Sequence, residues 1–145
     1  MSAALRVELE EPPNADDRQK LTQSLLATLA EGLGDPQFRS MGLFLRDEKG
    51  ELVGGLTARL RWGWLYIEVL WVAGHLRGQG HGSRLLREAE GYARERGGVA
   101  VHLEGAPDAL RFYERHGYET VAVVEGYPKV GMRQTFMRKW LNPGI

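Results

Sequence analysis

The sequence predicts an α/β domain built on a mixed central sheet with helices on both faces. Three observations carry that expectation. Trp64 to Val72 is a run too apolar and too aromatic for a loop, and it has no helical periodicity. A glycine-rich loop, Arg77-Gly78-Gln79-Gly80-His81-Gly82, follows it and opens onto a helical pattern from about Ser83 to Arg96. Strand-type and helix-type stretches alternate around this centre in the order β-α-β-β-β-α-β-α-β-β. No linker, repeat or low-complexity tract divides them, so residues 1–145 read as one domain.

Each element has a local reason. Leu5 to Leu9 alternates apolar and polar residues, which predicts a short strand closed off by Pro12 and Pro13. Asn14 can cap a helix whose first turn holds Asp16 and Asp17, and Leu21, Leu25 and Leu29 recur on one face of it. Gly32 or Gly34 ends that helix. Met41 to Arg46 and Leu52 to Leu60 form a hairpin across Lys49-Gly50. In the Trp64–Val72 strand, strict alternation puts Leu65, Ile67, Val69 and Trp71 on one face. Tyr66, Glu68, Leu70 and Val72 take the other. Leu85, Ala89 and Ala93 line the buried face of the next helix, and Gly97-Gly98 stops it. Val99 to Leu103 is a buried strand. Pro107 starts a helix with Ala109, Phe112, Tyr113 and His116 on one face, and Gly117 ends it. Tyr118 to Val124 and Met132 to Trp140 close the sheet.

Composition narrows the function. The chain has no cysteine, which excludes disulfide frameworks, thiolate metal sites and cysteine nucleophiles. Its four histidines show no ligand spacing, so no metal is expected. There are 19 basic and 19 acidic side chains, a balance that disfavours nucleic acid as a partner. No apolar run is long enough to span a bilayer, and the N-terminus lacks a signal-peptide pattern. The expectation is a cytoplasmic protein with neither membrane nor nucleic acid as partner.

The loop carries the chemistry. A helix start offers free N–H groups and a partial positive charge, and glycines let the backbone approach a phosphate without a Cβ in the way. Arg77 adds a fixed cation. A P-loop would need lysine before Ser83, and a dinucleotide loop would need its third glycine one residue later than Gly82. A plain strand-to-helix connection that binds nothing is the structural alternative.

The stretch Val72 to Leu86 resembles the coenzyme A-binding motif of the GNAT acetyltransferases, Arg/Gln-x-x-Gly-x-Gly/Ala, through Arg77, Gly80 and Gly82. Phe112-Tyr113-Glu114-Arg115-His116-Gly117-Tyr118 is similar to the same superfamily's second signature. One departure is Ala106, where many members carry asparagine. The resemblance implies a GNAT fold, acetyl-CoA as cofactor and direct attack by a primary amine, on a small molecule or on a lysine or N-terminal amine. It implies that the backbone of Leu70, Trp71 and Val72 holds the pantetheine arm, exposed by a bulge that commonly splays this strand from its neighbour in that family. It assigns the diphosphate to Arg77, Gly78, Gln79, Gly80, His81, Gly82 and Ser83. Tyr113 matches the tyrosine that protonates or hydrogen-bonds the leaving sulfur. Homodimers are common in that family. A coenzyme A-binding sensor that does no chemistry is the alternative of a different class.

Glu68 is the candidate general base, the one acid inside an apolar strand, where burial would raise its carboxyl towards neutrality. Pairing with Arg59 or Arg61 is the competing reading. Trp62, Trp64, Trp71 and Tyr127 are candidates for an acceptor groove or for core packing.

Overall fold

The computed structural model describes residues 4–142, which fall into two compact units, one ending at Pro36 and the other starting at Gln37. In the first, α1 (Ala15–Leu33) begins at the expected cap, where the Asn14 side chain accepts the Asp17 N–H at 3.0 Å. Gly34, at φ +83°, ends it. Leu21 and Leu25 are exposed, whereas Leu26 is buried. The strand expected over Leu5 to Leu9 does not form. Alternation prepares the side chains for a sheet, but a strand also needs a neighbour for its N–H and C=O groups, and no ladder forms here.

The second unit holds a six-stranded sheet. Its strands are β1 (Arg39–Arg46), β2 (Leu52–Arg61), β3 (Trp64–Val72), β4 (Ala100–Gly105), β5 (Glu119–Glu125) and β6 (Arg133–Trp140). Their spatial order is β1-β2-β3-β4-β6-β5, with β3 and β4 parallel and every other pair antiparallel. The β1–β2 turn is fixed by the Asp47 carboxylate, which accepts the N–H groups of Lys49 and Glu51. The β2–β3 turn is Trp62-Gly63, both at positive φ, the mirror-image turn that suits the twist of a tight hairpin.

The parallel crossover is α2 (His81–Glu95), which lays Leu85, Leu86, Ala89 and Ala93 into the core. Leu56, Leu65, Leu86, Val101 and Met137 are fully enclosed, each worth roughly 1.5–3 kcal/mol of transfer free energy. After a single 3₁₀ turn, Pro107–Ala109, comes α3 (Leu110–Arg115). Buried Glu90 of α2 accepts the Tyr118 hydroxyl at 2.7 Å and Lys139 Nζ at 3.0 Å. This polar lock ties α2 to the segment after α3 and to β6 on one face of the sheet.

The feature that positions the site is a bulge in β3. Ile67 pairs with Ala58 and Val69 pairs with Thr57, so Glu68 stands without an opposite residue on β2. One extra residue reverses the phase of everything after it. Leu65 and Ile67 are buried as expected, but Val69 and Trp71 are 55 % and 48 % exposed. Leu70 and Val72 turn to the core instead. Strict alternation therefore fails at Glu68.

Candidate active site

The parallel pairing of β3 with β4 ends at Ile67–Leu103, immediately before the bulge. Beyond it β3 keeps β2 as neighbour through Gly54–Val72, while β4 continues along β6 as far as Gly105–Thr135. The two central strands separate, and the edge of Glu68–Val72 that faced β4 loses its sheet partner.

A cavity of about 580 Å³ opens where the strands part. Glu68, Glu104 and Asp108 line it with Tyr66, Tyr127 and Gln134, and among the described residues no Lys, Arg or His belongs to its wall. Glu104 is held from two sides, by the Tyr66 hydroxyl at 3.2 Å and by Gln134 Nε2 at 2.6 Å. Burial and the nearby Glu104 carboxylate raise the Tyr66 phenol above its ordinary range, so it remains a donor. Glu68 pairs with Arg59 at 3.4 Å, and its side chain is 36 % exposed. The burial expected for Glu68 is thus absent, because the bulge turns it outward to meet Arg59.

At the far end of β3 the chain folds back on itself. Arg77 Nε donates to the Val72 carbonyl at 3.1 Å, and Gln79 Nε2 donates to the His75 carbonyl at 3.3 Å. Gly78 and Gly80 take φ +78° and +86°, and a Cβ on either would meet nothing within 4 Å. Helix α2 starts at His81, two residues before the expected Ser83. Its first turn is His81-Gly82-Ser83, and the N-cap Gly80 has no side chain to satisfy those N–H groups. Phe112 packs on Gly82, and Ser83 Oγ lies 2.9 Å from His116 Nε2.

Tyr113 is 8 % exposed and packs edge-on between Phe112 and Tyr118. Its ring lies against Gly105, which also lines the cavity, so the tyrosine stands at the parting of the strands. Burial raises its phenol, which stays protonated well above neutral pH.

A split parallel pair ending in an uncapped glycine-rich helix start is the site geometry. The family model of the Acetyltransferase (GNAT) family matches residues 4–118. The chain belongs to the GNAT acetyltransferase family. Acetyltransferase Atu2258 of Agrobacterium fabrum is 32 % identical over 114 residues, 78 % of this chain and 83 % of that protein. Blasticidin-S acetyltransferase of Streptomyces morookaense is 43 % identical over 83 residues, 56 % of this chain and 61 % of its own. A solved acetyltransferase from Bacillus cereus superposes with a TM-score of 0.77 at 30 % identity, covering 94 % of this chain and 97 % of that one. This GNAT protein is accordingly an N-acetyltransferase that takes its acetyl group from acetyl-CoA.

In this acetyltransferase Leu70, Trp71 and Val72 and the loop from Arg77 to Ser83 form one continuous path from the strand to the helix. Tyr113, on α3, lies against Gly105 of β4 at the wall of the cavity. Of the four aromatic candidates only Tyr127 lines the large cavity. Trp62 and Trp64 line a second one of about 430 Å³, with Arg59, Arg61 and His102, and Trp71 is exposed. Sequence reasoning missed the Tyr66–Glu104–Gln134 cluster and the support that Phe112 and His116 give to α2. Alternation along β4 does place His102 and Glu104 on one side, but only the pairing with β3 and β6 brings Glu104 to Tyr66 and Gln134.

No helix among the described residues is long and apolar enough to cross a membrane.

Proposed function

We propose that this acetyltransferase transfers the acetyl group to a primary amine of a small cationic molecule, by direct attack in a ternary complex at the parting of β3 and β4. The observation that carries the reading is the end of parallel pairing at Ile67–Leu103, with an acid-lined cavity on one side and the glycine loop further along the same strand.

The residues present fit coenzyme A. The unpaired edge of Leu70, Trp71 and Val72 suits a strand-like pantetheine arm. The open space over Gly78 and Gly80 and the uncapped turn His81-Gly82-Ser83 suit a diphosphate, with Arg77 and Gln79 flanking it. The bound thioester supplies an activated acetyl group. Tyr113, kept protonated by burial, donates a hydrogen bond or its proton at the leaving sulfur. Glu68, held by Arg59 at the cavity wall, accepts the proton of the incoming ammonium. Three carboxylates line this cavity and, among the described residues, only Glu68 has an arginine partner, Arg59, a balance that favours a cationic acceptor. A relative named for blasticidin S supports a small-molecule acceptor.

The test is release of free coenzyme A with a panel of small cationic amines and lysine peptides, with the product analysed by mass spectrometry. A ternary-complex mechanism and an N-acetylated small amine are expected. A stable acetylated enzyme, or turnover confined to peptides, would contradict the reading.

A further inference from the structure

Helix α3 braces the first turn of α2. Phe112 stands 3.4 Å from where a Cβ of Gly82 would lie, and the His116 ring tilts against Phe112 with centroids 4.9 Å apart. His116 Nε2 then reaches Ser83 Oγ at 2.9 Å, in the turn whose N–H groups have no side-chain cap. A serine hydroxyl has one proton to give. If Nε2 is bare, it takes that proton, and only oxygen lone pairs are left to face an anion. If Nε2 carries a proton, it donates to Ser83 Oγ, and the hydroxyl proton is free for a phosphate oxygen.

We propose that His116 sets the direction of the Ser83 hydroxyl and couples binding of the coenzyme A diphosphate to uptake of a proton. The inference rests on the assignment of the glycine loop to that diphosphate. His116 is a positioning residue here, acting through Ser83.

The charges around the imidazole fix the sign. Burial lowers its affinity for a proton, and Lys139 from β6, Arg87 from α2 and Arg115 from α3 act in the same direction, while Glu90 from α2 opposes them. The free protein therefore holds His116 neutral near pH 7. A diphosphate at the α2 start brings negative charge beside Ser83 and favours the imidazolium, which donates from both nitrogens. A group whose proton affinity rises on binding makes binding tighter as pH falls. The tightening sets in as pH falls towards the ordinary histidine range and is complete only below the lowered value of the free protein.

The experiment is calorimetric titration of the full chain with coenzyme A at several pH values, in buffers of different ionisation enthalpy. Coenzyme A has a phosphate that titrates in the same range, so the readout is the difference between wild type and variants of unchanged melting temperature. From pH 7.5 to 6, wild type should gain about fivefold more affinity than His116→Gln, with matching extra proton uptake. His116→Gln should bind at pH 7.5 at least as tightly as wild type, because its amide N–H donates to Ser83 Oγ at every pH and leaves the hydroxyl proton free. Ser83→Ala should lose the extra pH dependence with His116 intact. Identical pH dependence in wild type and His116→Gln, or its persistence in Ser83→Ala, would overturn the proposal. Failure of folded wild type to bind coenzyme A at any pH would instead overturn the loop assignment beneath it.

Discussion

The two halves of β3 are made of similar residues and do different work. Trp64 to Ile67 is paired on both edges, to β2 and β4, and its Leu65 and Ile67 are enclosed in the core. Beyond the bulge at Glu68, Val69 to Val72 is paired on one edge, with Val69 and Trp71 exposed. The same strand is structural before the bulge and available after it. On the proposed function, the sheet gives up hydrogen bonding and burial where the pantetheine arm would supply them.

The sharpest way to break this contrast is to occupy the path that leaves the second half. In Gly80→Trp the new side chain enters open space, and the positive φ costs about 1–2 kcal/mol. Affinity for coenzyme A should fall by about 100-fold or more in calorimetry, while the melting transition stays cooperative. Retained affinity in the folded variant would move the diphosphate away from this loop.

Next in size is a paired truncation within the strand. Leu65→Ala removes a fully enclosed side chain and should cost about 3 kcal/mol in urea denaturation. Val69→Ala, on the far side of the bulge, should cost under about 1 kcal/mol. Equal losses would mean that the halves do not differ energetically.

Tyr113→Phe should lower kcat by about 10- to 100-fold and leave the affinity for coenzyme A nearly unchanged. Because burial raises this phenol, wild-type turnover should show no decline from its ionisation below about pH 10. Wild-type turnover in Tyr113→Phe would remove the role at the sulfur.

The smallest expected effect concerns the acceptor side. Glu104→Gln removes one negative charge from a cavity wall already held by Tyr66 and Gln134. KM for a cationic acceptor should rise about two- to fivefold with kcat little changed. A change in kcat with KM constant would make Glu104 part of the proton path.

What could be read in the sequence was what local chemistry decides. The cap at Asn14, the extent of β3 and the left-handed Gly117 after α3 depend on neighbours a few residues away, and they stand where expected. The bulge does not, because it is a statement about how β2 pairs with β3, and nothing within Trp64–Val72 marks it. Missing its position at Glu68 reversed the faces of Val69 to Val72 and gave Glu68 a burial that it lacks. Leu5 to Leu9 failed for a related reason: a period of two was present and a partner was not. The Tyr66–Glu104–Gln134 cluster joins three strands that only the sheet order brings together. The loop and Tyr113 could be named as candidates because they sit inside short contiguous motifs, whereas the cavity wall is assembled from residues far apart in the chain.

Residue-resolved amide hydrogen exchange with and without coenzyme A is the direct test of the divided strand. Saturating coenzyme A should slow exchange within Val69–Val72 and His81–Ser83 and leave Trp64–Ile67 as it was. Equal protection along all of β3, or none in either segment of the saturated protein, would contradict a strand divided at Glu68 into a structural half and a binding half.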